Sequence, residues 1–384
     1  MRRMRSAAAV AVVAGGLVVA GTLPASATDS HGFGHHGISA HGLAGWWHPG
    51  RGHGGPPPVA GAPVTVAEHL AGPLTFAVDG RQSVYVGQAF SGTVSLVRPG
   101  QAPTDLVSSP GLDVAAVSTL FGSVTWAERA GDQESVTSSV LQRRSPDGTV
   151  RTVADLLAYE TAHNPDGGQA YAFTGLTPEC AAGLTLPFAP YTGGVDSHAY
   201  GSLSLPGVTY VADAGGNDIL KVDHRGRVST VAVLPPASFV ATAPIAAALG
   251  LPDCVVGHAY NLEPVPTDVE LGPDGWLYVS SLPGGPEDGS LGALGSVYKV
   301  NPWTGKVKLL ATGFSGATNV AVAPNGTVYV AELYANQVST ISRSGVVSPF
   351  AALNQVAGLE WSNGLLYAST DVFGDGKLVT LTTR

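Results

Sequence analysis

Asp113, Asp268 and Asn319 stand at the starts of short apolar runs, Tyr200 occupies the corresponding slot of another, and Glu128, Asp213 and Glu332 close the runs that return. Carboxylate and amide oxygens gathered in this way could coordinate Ca²⁺, which takes about six to eight oxygen ligands, or hold a polar small molecule. The same residue types also cap turns by accepting backbone N–H bonds, so a structural reading stands beside the chemical one. No G-x-S-x-G elbow, phosphate-binding loop, H-E-x-x-H or zinc knuckle accompanies them, and no acid–base pair is visible. The residues alone name no reaction.

These side chains need elements to position them, and the chain repeats one. "DVELGPDGWLYVSSL" (268–282) is two apolar runs around an Asp-Gly corner, the residue pair that tolerates a tight hairpin turn. The shape returns in "NVAVAPNGTVYVAEL" (319–333), "LTFAVDGRQSVYVGQ" (74–88) and "GLEWSNGLLYAST" (358–370), and more weakly at 113–128 and 200–214. A third run, a Gly turn and a fourth run follow, as in "VYKVNPWTGKVKLLA" (297–311). Four strands per unit, at a spacing of about forty residues, predict an all-β fold: a six-bladed β-propeller of four-stranded antiparallel blades. After the sixth hairpin only "KLVTLTT" (377–383) remains, while "VTVAEHL" (64–70) precedes the first unit. The N-terminal strand is therefore expected to complete the last blade and close the ring, which removes an open sheet edge.

Three insertions, at about 155–198, 235–266 and 282–295, fall on the connections that share a pole with the starts of the first strands. Insertions on a rigid scaffold are where binding function concentrates, so this pole is the expected site. The two cysteines, Cys180 and Cys254, lie one in each of the first two insertions, and a disulfide between neighbouring lids is expected.

The termini add compartment. Residues 1–27 combine a basic start, an apolar centre and Ala25-Ser26-Ala27, the pattern of a cleaved secretory signal, so the protein is expected to be secreted with no membrane span after cleavage. Residues 28–63 form a Gly/His/Pro-rich linker, and 64–384 the propeller. Loss of Arg2, Arg3 and Arg5 with the leader takes the formal net charge from -9 to -12. An acidic surface of that kind argues against nucleic acid as a partner.

"ADLLAYETAHNPDGG" (154–168), "VDSHAYG" (195–201), "YVADAGGNDILKVD" (210–223) and "VPTDVELGPDGWLYV" (265–279) resemble the ScyD/ScyE family, secreted bacterial propeller proteins. The likeness covers residues 64–384. It departs at His198-Ala199-Tyr200-Gly201, where the family pattern has Asn-Pro-Tyr-Gly, which leaves the role of position 198 open. More distantly the repeat is similar to NHL-type and gluconolactonase-like propellers, and the latter hydrolyse lactones with a divalent cation at one pole. That resemblance implies a Glu ligand at a first-strand start, whereas Glu270 and Glu360 lie two residues further in. Two functions follow: an extracellular protein that binds an unknown small molecule or other ligand beneath the lids, or a metal-dependent, lactonase-like hydrolase at the same pole.

Overall fold

The computed structural model describes residues 58–132, 135–286 and 288–383. The leader and the His-rich stretch through residue 57 lie outside the described residues. Among those described, no helix is long and apolar enough to cross a membrane.

The fold is all-β, with seven four-stranded antiparallel sheets. Five are formed by strands consecutive in sequence, within 75–108, 113–155, 199–233, 266–314 and 317–352. Each begins with the apolar run of a repeat unit and turns back at its Gly corner. The sixth takes Leu359–Ser362, Leu365–Thr370 and Gly376–Thr382 from the end of the chain and Val64–Leu70 from its beginning. Val64–Leu70 runs antiparallel to Gly376–Thr382, from Val64 opposite Thr380 to Leu70 opposite Gly376. Its Ala67 and Leu70 join Phe76, Val84, Val86 and Leu378 in one buried cluster. Burying one leucine side chain contributes about 1.5–3 kcal/mol, so this pairing is more than a row of backbone hydrogen bonds.

The first strands of these six sheets touch in sequence order. Thr75–Val78 meets Asp113–Leu120, which meets Ala199–Leu205; the contacts continue through Pro266–Leu271 and Ala317–Val322 to Leu359–Ser362, which returns to Thr75–Val78. Apolar clusters fill the spaces between sheets, such as the one that joins Tyr210, Ala212 and Ile219 of the third to Val269, Leu277 and Val279 of the fourth.

The seventh sheet departs from the expectation of lid loops. The first two insertions fold together: Ala170–Phe173 pairs with Tyr191–Thr192 on one side and Ala259–Leu262 on the other, and Ala237–Val240 adds the far edge. Its two central strands come from different insertions, so neither piece shows a hairpin in sequence. The helices Leu156–His163, Pro178–Ala182 and Ala243–Ala248 accompany it. Cys180 and Cys254 form the expected disulfide and join the helix Pro178–Ala182 to the turn Asp253–Val255. Both segments pack in a small core with Phe173, Tyr260 and Leu262. A core this small gains from a cross-link, and a structural disulfide suggests a non-cytoplasmic protein.

Candidate functional site

The first strands carry a recurrent irregularity at the insertion-bearing pole. Pairing of the first strand with the second slips by one residue between Pro266 and Asp268, between Ala317 and Asn319, and between Ala199 and Gly201. Each slip is a β-bulge, and a bulge re-aims the side chains beside it. Asp268 is turned toward the neighbouring strand, where its Oδ2 accepts the Val320 N–H at 3.1 Å; Asn319 Oδ1 accepts the Leu359 N–H at 2.9 Å. The bulged residues make a parallel set: Thr267 Oγ1 donates to the Ala317 carbonyl at 3.1 Å and Thr318 Oγ1 to the Ala357 carbonyl at 2.9 Å. A Thr-Asp or Thr-Asn pair thus stitches one sheet to the next.

The register corrects two placements expected from sequence. Tyr200 does not share the slot of Asp268 and Asn319; Gly201 does, and Tyr200 is the bulged residue alongside Thr267 and Thr318. The slot needs glycine there, because a Cβ on Gly201 would lie 2.6 Å from Asp268 Cα and 2.8 Å from the Thr267 carbonyl oxygen. Asp113 is the second departure. Val114 pairs with Glu128 as Ala199 pairs with Asp213, so Asp113 corresponds to His198 and stands nearer the rim. A bulge inserts one unpaired residue, and nothing in these short apolar runs marks where it falls, so periodicity alone misses both shifts.

Glu128, Asp213 and Glu332 do occupy equivalent places on the second strands, opposite Val114, Ala199 and Ala317, and all three are spent on local hydrogen bonds; Asp213 and Glu332 end their strands as expected, whereas the strand of Glu128 runs on to Gly131. Glu332 accepts from Ser315 N at 2.9 Å, Gln337 Nε2 at 2.9 Å and Ser339 Oγ at 2.5 Å. Glu128 accepts from Ser109 Oγ, Trp126 Nε1 and Gln142 Nε2. Asp213 accepts from Ser197 Oγ at 2.6 Å and from the His198 N–H at 2.6 Å. Each carboxylate ties the segment that enters its sheet.

At the rim, His198 Nε2 stands 2.6 Å from Asp113 Oδ2. This acid–base pair joins the second and third sheets and is invisible in the sequence because its members are 85 residues apart. A carboxylate only accepts, so the shared hydrogen belongs to Nε2 and the lone pair of the neutral ring falls on Nδ1. The side chains are 32% and 36% exposed, open enough to meet a solute. Tyr200 packs its ring edge-on to His198 at 6.0 Å, and Arg129 approaches Asp196 at 3.8 Å nearby.

Deeper in, three carboxyls on first strands influence one another. Burial pushes Asp268 up to about 7, even though the Val320 and Val269 N–H groups favour its charged form. Glu270 is raised well above the ordinary range, by burial first and then by the charges of Glu360 and Asp268; Glu360 is raised by burial and by Asp268. Glu270 and Glu360 belong to sheets that are not neighbours, so their repulsion acts across the space the first strands surround. Asp268 and Asn319 already accept backbone bonds, and among the described residues no three His, Cys, Asp or Glu side chains form a finished metal centre. The residues at the first-strand starts therefore do not fit the axial cation that a gluconolactonase-like resemblance implies.

No protein-family profile and no curated protein sequence matches the chain. Solved structures do. The PQQ-bound aldose sugar dehydrogenase of Streptomyces coelicolor is similar at 14% identity, with a TM-score of 0.54 over 86% of this chain and 100% of that one. A putative glucose dehydrogenase of Thermus thermophilus has 15% identity and a TM-score of 0.51 over 83% and 99%. The gluconolactonase of Xanthomonas campestris has 10% identity and a TM-score of 0.50 over 86% and 98%. At these identities the likeness is one of fold, of the propeller type.

Proposed function

We propose that the chain is a secreted propeller of the ScyD/ScyE kind whose rim site carries out acid–base hydrolysis on a small polar molecule, a lactone or comparable ester. In this reading the six sheets in mutual contact are the blades of a domain spanning 64–384, Val64–Leu70 closes the ring, and the seventh sheet is its lid. The observation that carries the chemistry is the partly exposed His198–Asp113 pair at 2.6 Å. His198 Nδ1 takes a proton from water, and Asp113 fixes the ring orientation and stabilises the imidazolium that forms. The hydroxide equivalent attacks the carbonyl carbon, the ring C–O bond breaks, and the proton passes to the leaving alkoxide. The acidic surroundings, Asp196 and Asp213 among them, favour uncharged substrates and repel a carboxylate product.

The experiment is a turnover assay of the mature protein on aliphatic and aryl lactones, with His198→Gln and Asp113→Asn alongside. We expect wild-type hydrolysis, with kcat lowered about 10²–10⁴-fold in His198→Gln, the usual worth of a general base. Binding by calorimetry without turnover would return the protein to the ligand-binding reading. Equal rates for wild type and His198→Gln would remove the pair from the chemistry.

A further inference from the structure

Six acidic side chains, Glu160, Asp166, Asp196, Asp213, Asp218 and Glu263, gather where the lid segments meet the third sheet. Their segments converge on the loop Gly215–Gly216, and they act on one another: burial raises Glu160 to about 8, followed by the charges of Asp213, Asp166 and Asp196. Asp218 is driven well upward by burial and then by Asp213 and Glu160. Asp213 is fully engaged, and Glu263 receives Tyr191 Oη at 3.0 Å. Four others keep an oxygen that no protein donor reaches: Glu160 Oε1, Asp166 Oδ1, Asp196 Oδ1 and Asp218 Oδ1. Glu160, Asp166 and Asp218 are 2%, 1% and 0% exposed, so bulk water does not serve them.

An unpartnered buried carboxylate oxygen costs about 1–3 kcal/mol or more, and several in one place demand a counter-charge. The basic groups facing the cluster are Arg129, 3.8 Å from Asp196, and the imidazole of His198, whose backbone N–H meets Asp213. They lie to one side. At the centre, the loop has no side chain. The position of a Cβ on Gly216 is 3.4 Å from Asp218 Oδ1, 3.4 Å from Glu160 Oε2 and 3.7 Å from the Asp196 carbonyl oxygen. Oxygens from three segments thus lie within 3.7 Å of one point beside the Gly216 backbone.

The structure assigns this cluster as a Ca²⁺ site that clamps the lid to the third sheet. The donors are all oxygen, carboxylate and carbonyl, which selects a hard cation over Zn²⁺ or Cu²⁺. Ca–O distances are about 2.3–2.6 Å, so holding one ion requires these oxygens to draw together. As they stand, no three His, Cys, Asp or Glu side chains among the described residues are placed to hold an ion, so the assignment requires that inward movement. Mg²⁺ fits less well, since it demands a tight octahedron at about 2.0–2.1 Å and sheds water reluctantly. The donors sit on the helix Leu156–His163, the Asn164–Gly168 turn, the segment before Ala199 and the Gly215–Asp218 loop. One ion would fasten all four. The assignment is independent of the His198–Asp113 chemistry.

The test uses the full mature chain, stripped with a chelator and dialysed at pH 7.5, and Ca²⁺ alone as the probe. Calorimetry should find one Ca²⁺ per chain, and a saturating concentration should raise the melting temperature by about 5 °C, with Mg²⁺ far weaker. Tyr171 donates to Asp166 Oδ2 at 3.1 Å, so Tb³⁺ bound here should luminesce on tyrosine excitation and be displaced by Ca²⁺. Asp218→Asn and Glu160→Gln should each lower Ca²⁺ affinity at least about 10-fold while leaving the chelated protein as stable as wild type or more so. A merely structural carboxylate would lower stability and leave Ca²⁺ binding alone. Absence of saturable Ca²⁺ and Tb³⁺ binding in folded wild type would overturn the assignment and leave shared protons as the neutralising charge.

Discussion

Two sets of buried carboxylates sit within one chain and behave in opposite ways. Those on the second strands, with Glu332 as the clearest case, have a hydrogen-bond donor for each oxygen; Glu160, Asp166 and Asp218, where the first two insertions meet the third sheet, each keep an oxygen without one. The first set is matched to its surroundings on folding and so reads as architecture. The second is left with uncompensated charge, and such groups persist where a proton or a cation completes them. The sequence does not tell them apart: Glu332 follows Tyr329-Val330-Ala331 and Asp218 precedes Ile219-Leu220, each an acid beside an apolar run.

The largest test of the contrast is Glu332→Ala. It strands Ser315 N–H, Gln337 Nε2 and Ser339 Oγ, so we expect a loss of about 2–4 kcal/mol in denaturant unfolding. A loss under about 1 kcal/mol would erase the distinction between the two sets.

The pH profile is the next largest. Glu160 titrates at about 8 in the folded chain against an ordinary 4.5, so folding favours its protonated form. The stability this contributes is fully present below the unfolded value and is lost as pH rises through the folded one. With divalent cations chelated, the melting temperature should fall between about pH 5 and pH 8, and Glu160→Gln should flatten that slope. Asp268, at about 7, adds a smaller part of the same sign. A melting temperature that climbs across this window in the chelated protein would contradict the assigned burial.

Asp274→Asn should have the smallest effect. Asp274 pairs with Lys299 at the Gly corner, far from both sets, and its side chain is 41% exposed. Exposed ion pairs contribute about 0–1 kcal/mol, so unfolding free energy should change by less than about 1 kcal/mol, with Ca²⁺ binding and turnover intact.

Much of the fold is legible in the sequence alone. Alternating apolar residues around Asp-Gly and Asn-Gly corners determine the all-β class, the hairpins and the four-stranded unit, because strand burial and tight turns are local requirements. The disulfide is equally legible: two cysteines in one chain leave a single intramolecular pairing. Tertiary structure alone decides the lid sheet, whose central strands Ala170–Phe173 and Ala259–Leu262 are drawn from separate insertions. It also decides the bulges that move Tyr200 out of line, the Asp113–His198 pair, and the company Glu160 keeps with Asp218. Each of these depends on which backbone passes beside which, and on whether a donor is there to meet a buried oxygen. Local periodicity carries no information about either.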